Sequence, residues 1–203
     1  ELMGKGEKEK KDLYIEGIQN NGIINHYEYI INSEGTIEIR HVLKPEGKMP
    51  LWFPRIGLTL TVSDALDQVK WYGRGPQENY PDRKTGYPTG IYASTVQAMY
   101  EPYLMPQDYG LRTDVRWLQL TTDKGIGLQF KMNEWFNFNI YPYSTDNLTK
   151  AMYTYQLQKQ KGMTLNLDYA TTGVGCTARG VFGAYKAMPQ EYRRTISIRP
   201  MMK

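Results

Sequence analysis

The chain has 203 residues, 40% of them hydrophobic and 23% charged, enough to bury a core in one domain and too apolar to stay disordered. Its 25 basic residues exceed its 21 acidic ones by only four, which argues against a nucleic-acid binder, whose cations gather on one face. A single cysteine, Cys176, excludes an internal disulfide framework and a thiolate metal cluster, and no apolar run approaches the ~18 residues that suggest a membrane span.

Residues 5–11 (KGEKEKK) interleave lysines with Glu7 and Glu9 and read as a solvated lead-in. Residues 1–24 make up this lead-in with a first short strand at 13–15, closed by the turn Asn20-Asn21-Gly22; residues 25–203 are read as one β-sandwich domain. The runs 23–31 (IINHYEYII) and 36–42 (TIEIRHV) flank Asn32-Ser33-Glu34-Gly35 and predict a hairpin. Residues 43–50 carry two prolines and a glycine and are expected to be a connection. Strand character resumes over 51–62, alternating from Gly57, and again over 69–72.

The stretch Trp71-Tyr72-Gly73-Arg74-Gly75-Pro76-Gln77-Glu78-Asn79-Tyr80-Pro81-Asp82-Arg83 follows. Its glycines and prolines break any helical register, so it reads as a strand end running into an ordered, polar, aromatic loop. Gly86, Pro88 and Gly90 prolong that loop to Tyr92, and residues 100–110 repeat the mixture of aromatics, prolines and carboxylates. Residues 115–121 alternate, Asp123-Lys124-Gly125 turns, and 126–130 and 135–140 are expected as two further strands. Trp135, Asn137 and Asn139 would share one face of the latter, with Phe136, Phe138 and Ile140 on the other. Residues 145–154 are the best helix candidate, capped by Thr145 or Asp146 with Leu148 and Met152 on one face. Strands at 163–169 and 195–198 end the pattern. The whole predicts an all-β fold, a large sandwich of two antiparallel sheets with long loops at one rim.

The chemistry in reach is limited. His26 and His41 both fall on the predicted first hairpin, where a hydrogen-bonded strand histidine is the expected role, and no nucleophile elbow is present. Two histidines and one cysteine do not fall at metal-ligand spacing, and Gly173-Val174-Gly175 is only half of a dinucleotide fingerprint. Carboxylates remain: Glu78, Asp82, Glu101 and Asp108 lie in aromatic loops, and glycoside hydrolysis needs two. Against that stands a structural role in which Glu78 and Asp82 pair with Arg74 and Arg83 and brace a loop without regular backbone bonding.

The stretch from Trp71 to Arg83 closely resembles the signature of the β-galactosidase small-chain domain, the C-terminal domain of family-2 glycoside hydrolases. Pro54-Arg55-Ile56-Gly57 upstream is collinear with that family, as are Pro106-Gln107, Thr113-Asp114-Val115-Arg116-Trp117, Leu165-Asn166-Leu167-Asp168 and Gly173-Val174-Gly175 downstream. The resemblance runs from about residue 25 to the C-terminus. It implies a supersandwich of the galactose-mutarotase-like class, of which this chain is the later part, and a longer enzyme that hydrolyses terminal β-galactosides. Beginning at Glu1 rather than Met, the chain is expected to be a fragment.

By that resemblance the catalytic glutamates and a nearby Mg2+ belong to a separate TIM-barrel domain, and none of the catalytic residues or cofactors is in this chain. The fragment alone is expected to be inactive. Its partners would be the other domains of the same enzyme and a galactoside substrate, not nucleic acid or membrane, with a homo-oligomer of the full-length protein left open. The family's loop continues after Gly173-Val174-Gly175 to a sugar-stacking Trp; here that position falls on Gly180, leaving Arg179 as a candidate hydroxyl donor and Phe182 as a candidate stacking face. Trp71, Arg74, Glu78, Asp82 and Arg83 are expected to brace the loop structurally. Two other functions stay open: an independent carbohydrate-binding module, and an aldose 1-epimerase using a His acid and a Glu base.

Overall fold

The computed structural model describes residues 10–11, 22–176 and 180–202; the strand expected at 13–15 lies outside the described residues. Strand β1 (Lys10–Lys11) pairs antiparallel with β2 (Gly22–Ile31), so the end of the lysine-rich lead-in adds to the sheet. The predicted hairpin forms between β2 and β3 (Ile37–Glu46). Its turn is closed by the Asn32 side chain, whose Oδ1 accepts from the amides of Glu34 at 3.0 Å and Thr36 at 2.9 Å.

β3 extends into the stretch expected to be a connection, with Pro45 opposite Ile23. The proline is tolerated because the other neighbour of β3 leaves the ladder at Leu43, so no second row of bonds is interrupted there. That neighbour is β10 (Tyr192–Met201), which likewise runs past its expected end through Pro200, where it pairs only with the other side, opposite Leu128.

The remaining strands are β4 (Arg55–Val62), β5 (Gln68–Arg74), β6 (Thr89–Thr95), β7 (Arg112–Thr121), β8 (Gly127–Tyr141) and β9 (Met163–Thr171). β6 begins inside the expected long loop because Gly90 and Thr89 pair with the end of β5. The two strands expected at 126–130 and 135–140 are one 15-residue strand, β8. Its polar middle is held to β10 by the Asn133 side chain, which accepts from the Thr195 amide at 3.0 Å, and by Glu134 facing Arg194.

β8 organises the architecture. β7 lies along one side of it, with register shifts between Arg112 and Trp117. On the other side β10 pairs with residues 127–132 and β9 with residues 137–141. The ladder therefore divides: one branch runs β1-β2-β3-β10-β8-β7-β5-β6, and β9 with β4 forms the second. The two layers of the expected sandwich are present, all antiparallel, with β8 common to both.

Alternation places the core between the layers. Leu60 and Val62 of β4 and Met163, Leu165 and Leu167 of β9 pack on Val69 and Trp71 of β5, Leu118 and Leu120 of β7, and Phe136, Phe138 and Ile140 of β8. The inward set expected for residues 136–140 is therefore the observed one. Further along, Ile56 and Tyr169 cover Ile39, Leu43, Tyr192 and Ile196. The helix is shorter than expected: α1 (Thr145–Lys150) is capped by Ser144, whose hydroxyl accepts from the Asn147 amide at 3.0 Å, and the chain turns extended at Ala151. Leu148 is buried while Met152 is exposed, because Met152 lies beyond the helix end.

His41 is a core residue. Its Nδ1 lies 2.7 Å from the Tyr169 hydroxyl, its Nε2 3.0 Å from Asn25 Oδ1, and Tyr27 stacks on its ring at 4.1 Å. Both nitrogens are engaged, which leaves no position for the acid role an epimerase would require. Burial pushes its pKa down to about 4. Because the folded value lies below that of the unfolded chain, the stability held above pH ~6.5 is lost as the pH falls toward 4. Denaturant titrations across that range should show wild type losing more stability than a His41→Asn variant; identical slopes would show that His41 does not contribute.

Candidate functional site

Residues 71–83 leave β5 as an irregular segment whose polar groups must find partners one by one. Trp71 is fully buried and donates from Nε1 to the Arg74 carbonyl at 3.0 Å. The Arg112 guanidinium lies over its ring at 5.5 Å, and the Gly75-Pro76 peptide bond is cis. Asn79, also fully buried, ties the loop to the start of β7: its amide donates to Leu111, and its side-chain oxygen accepts from the amide and hydroxyl of Thr113.

The expected pairing of Glu78 and Asp82 with Arg74 and Arg83 does not form. Arg74 donates from Nε to Asp114 Oδ2 at 2.6 Å, and Lys84 donates to the other carboxylate oxygen at 2.6 Å. Arg74 also caps the carbonyls of Lys84 and Tyr87. Burial works to raise the Asp114 pKa, but the hydrogen bonds from Lys84 and Arg74 outweigh it and hold the carboxyl below its ordinary value. Asp114 has a φ of 54°, a conformation Asp accepts more readily than most residues. Arg83 instead faces the Tyr80 ring, 6.0 Å from its centroid.

Glu78 is buried in a cage of neutral donors: the hydroxyls of Tyr80 and Tyr103 and the Gly110 amide. These donors satisfy its carboxyl oxygens by hydrogen bonding alone. Burial, then the Glu78 charge, raises the Tyr80 phenol, and burial with the Glu78 hydrogen bond raises Tyr103. Glu101 nearby is raised by burial and by Glu78. Arg112, bonded to the carbonyls of Pro76 and Gly110, is pushed down to about 10 by its burial, with Glu101 and Glu78 opposing.

The second polar cluster is the back of β9. Leu165 and Leu167 face the core, so Asn166 and Asp168 point the other way, yet they are buried too. Arg55 reaches Asp168 at 2.8 Å, Asp108 at 3.2 Å and the Asn139 side-chain oxygen at 3.3 Å. Asp108 Oδ1 also accepts from Asn139 at 2.9 Å and the Tyr141 hydroxyl at 3.0 Å. Asn166 donates to Asn139 Oδ1 at 2.8 Å and to the Tyr141 oxygen at 3.0 Å, while accepting from Thr59 at 2.7 Å. Burial pushes the Asp168 carboxyl up to about 6, against the pull of Arg55.

Asp82 connects the loop to the rim. Its Oδ1 accepts from the Val174 amide at 3.1 Å and its Oδ2 from the Gly175 amide at 2.7 Å, across more than ninety residues of chain. A Cβ at Gly173 would lie 2.4 Å from the Asp82 carboxyl carbon, so only glycine allows this approach. Next to the clamp, Thr172 stitches two further segments together. Its amide donates to Pro54 and its hydroxyl to Phe53, and that hydroxyl accepts from Ala187; Phe53 in turn donates to the Ala187 carbonyl at 2.9 Å. Gly173 donates to the Tyr185 carbonyl.

Segments 52–54, 172–175 and 182–187 thus form one rim beside Asp82. Phe182 is 65% exposed there, and Arg179 lies outside the described residues. Glu78 and Arg112 gather against Glu101 of the 100–110 loop, and Asp108 joins the Arg55 cluster instead. Among the described residues, no three His, Cys, Asp or Glu side chains gather as a metal-ligand group. Asp114 and Thr172 are the connectors that sequence reasoning missed. Neither carries a periodic signal, although Asp114 lies within the collinear motif Thr113-Asp114-Val115-Arg116-Trp117.

Comparison with known proteins gives a consistent result. The family described as β-galactosidase small chain matches residues 5–198. A β-galactosidase of Priestia megaterium is 38% identical over 147 residues, 72% of this chain and 14% of that protein. One of Vibrio cholerae is 39% identical over 122 residues, 60% of this chain and 11% of that protein. One of Pseudoalteromonas haloplanktis is 33% identical over 159 residues, 76% of this chain and 14% of that protein. The matched stretch therefore spans about a seventh or less of the length of these relatives.

Two outcomes are expected from these contacts. Arg55→Met strands the Asp168 and Asp108 carboxylates and should lower stability by about 3 kcal/mol in denaturant titration, with Asp168→Asn in the same chain recovering part of the loss. Asp82→Ala should accelerate amide hydrogen exchange at Val174 and Gly175 by about tenfold or more, the loss of charge-assisted hydrogen bonds; unchanged exchange would mean the clamp does not hold the rim.

Proposed function

The chain belongs to the β-galactosidase small-chain family, and on that premise we propose that it is the C-terminal β-sandwich part of a longer glycoside hydrolase acting on terminal β-galactosides. In this reading it shapes and closes the sugar site of a separate catalytic domain. Hydrolysis at a glycosidic bond needs one carboxyl group as acid and a second as nucleophile or base. Those two groups, and the magnesium ion, belong to the catalytic domain; the partners of this chain are the other domains of the same enzyme.

The observation that carries the reading is the rim. A domain that lends a wall to a neighbour's site must present a surface held in one geometry, because loose contacts give little binding energy to the substrate. The clamp from Asp82 to Val174 and Gly175 and the Thr172 stitches supply such rigidity at the end of the sandwich. Two of the loop carboxylates are committed elsewhere. Glu78 is enclosed by hydroxyls and an amide, and Asp82 is spent on backbone amides. The arrangement suits support of a site more than bond cleavage within this chain.

Assay of the purified chain and the full-length enzyme with o-nitrophenyl β-galactoside tests this. The chain alone should show no turnover, and Asp82→Ala in the full-length enzyme should raise KM severalfold with a smaller change in kcat. Sustained turnover by the chain alone would place the reacting carboxylates within it and end the proposal.

A further inference from the structure

The outer face of the long sheet, opposite the core, differs between its two halves. On β2 and β3 it is balanced by internal ion pairs: Arg40 donates to Glu28 at 3.1 Å and to Glu38 at 2.9 Å. Strands β5, β6, β7, β8 and β10 contain only two acidic residues, Asp114 and Glu134, and both are already paired with cations. The cations left over, Lys70, Arg116, Lys131 and Arg199, have no carboxylate partner among the described residues.

Register sets this half of the face in rows. Lys70, Gln119, Gln129 and Arg199 lie opposite one another across four strands, and Tyr72, Trp117, Lys131 and Ser197 form the next row. Ile91 of β6 ends that second row. At the register shift between Val115 and Trp117, the Arg116 guanidinium lies over the rings of Trp135 at 4.0 Å and Tyr72 at 5.0 Å. Trp135 is 60% exposed and Ile91 61%. An open groove of about 630 Å³ continues the first row past Arg199 to Met201 and Met202, with Glu34 of the hairpin turn on its wall.

We propose that this face of β5, β7, β8 and β10 docks on an acidic surface of another domain of the same enzyme, anchored by Trp135, Arg116 and Tyr72. The proposal rests on reading this chain as part of a longer hydrolase, and deepens it by naming the face that meets the rest. Trp, Tyr and Arg carry most of the energy at protein interfaces, and here all three meet in one cluster. The unpaired cations set the sign of the partner. Burial against a neutral or basic surface would strand four charges, whereas carboxylates satisfy them. A second copy of the same face would set cation against cation. A polyanion would meet the charges but has nothing to cover Ile91 and the methionine end of the groove. The matched relatives continue far beyond the stretch they share with this chain, which supplies the covering surface.

The test uses the full-length enzyme. Acetylation by an N-hydroxysuccinimide ester should be about tenfold or more slower at Lys70 and Lys131 in the folded enzyme than in the same enzyme unfolded in urea, the water exclusion of a closed interface. A zero-length carbodiimide, which joins an amine to a carboxylate in contact with it, should link Lys70 or Lys131 to an Asp or Glu outside these 203 residues. Lys131→Glu should speed acetylation of Lys70 by about fivefold and Lys131→Gln by less, because reversal adds repulsion where neutralisation only removes attraction. The rate at Lys150, an exposed lysine of α1, should stay the same in both variants, showing that the fold is intact.

Acetylation of Lys70 and Lys131 at the rate of the unfolded enzyme would overturn the proposal. Links confined to carboxylates within the 203 residues would do so too, since they mean self-association or an uncovered face. Protection with no link at all would show that the covering surface is not acidic, and lysines protected only on adding heparin would assign the face to a polyanion; either result ends the proposal. The hydrolase reading is judged separately. Turnover of o-nitrophenyl β-galactoside by this chain alone ends that reading, whereas open lysines without such turnover end only the docking proposal.

Discussion

β9 is buried on both faces, and the other parts of the molecule are arranged around that fact. A strand with one wet face can leave its polar residues to water, but Asn166 and Asp168 have no such recourse. Each must be matched within the protein, and a carboxylate as deep as Asp168 needs a cation. Arg55 supplies it from the neighbouring strand, while Asn139 and Tyr141 reach across from β8. Asp108 then ties the covering loop to the same group of donors. The segment 100–110 is consequently a lid fastened by polar bonds, and the tyrosines at its edges pack against Leu148 of the short helix.

The same logic explains why the long loop after β5 is ordered without secondary structure. The carboxylates that hold it do not form one pooled network. Asp114 serves the cations Arg74 and Lys84, Glu78 takes neutral donors, and Asp82 takes two backbone amides from the far end of the sequence. These separate attachments fix the loop at several points: to β7 through Asn79 and Asp114, to the 100–110 segment through Glu78, and to the rim through Asp82. Losing one attachment would therefore leave the others holding the segment.

Much of this was legible in the sequence wherever periodicity ruled. The hairpin of β2 and β3, the inward triplet Phe136, Phe138 and Ile140, and the alternation of β9 follow from pattern alone. The bounds failed where proline was read without its surroundings: Pro45 and Pro200 each sit in a strand, at places where one neighbour has already departed. β8 looked like two strands because Lys131, Asn133 and Glu134 interrupt its apolar pattern, and nothing local reveals that β10 supplies partners for that polarity. Site partners were the least legible. Arg74 and Asp114 are forty residues apart and Asp82 and Gly175 ninety-three, so proximity along the chain misled the pairing of Glu78 and Asp82 with Arg74 and Arg83.

The position of β10 in the sheet bears on how the polypeptide assembles. It follows every other described strand along the chain, yet it lies between β3 and β8, near the middle of the longest ladder. Until residues 192–201 are in place, no described strand joins the β2–β3 hairpin to the rest of the sheet. An incomplete nascent chain would hold two exposed sheet edges, one on β3 and one on the first half of β8, each a template for pairing with another molecule. Pairing of residues 192–201 converts both edges to interior ladder in one step, so folding yield depends on how quickly that strand is delivered to the sheet.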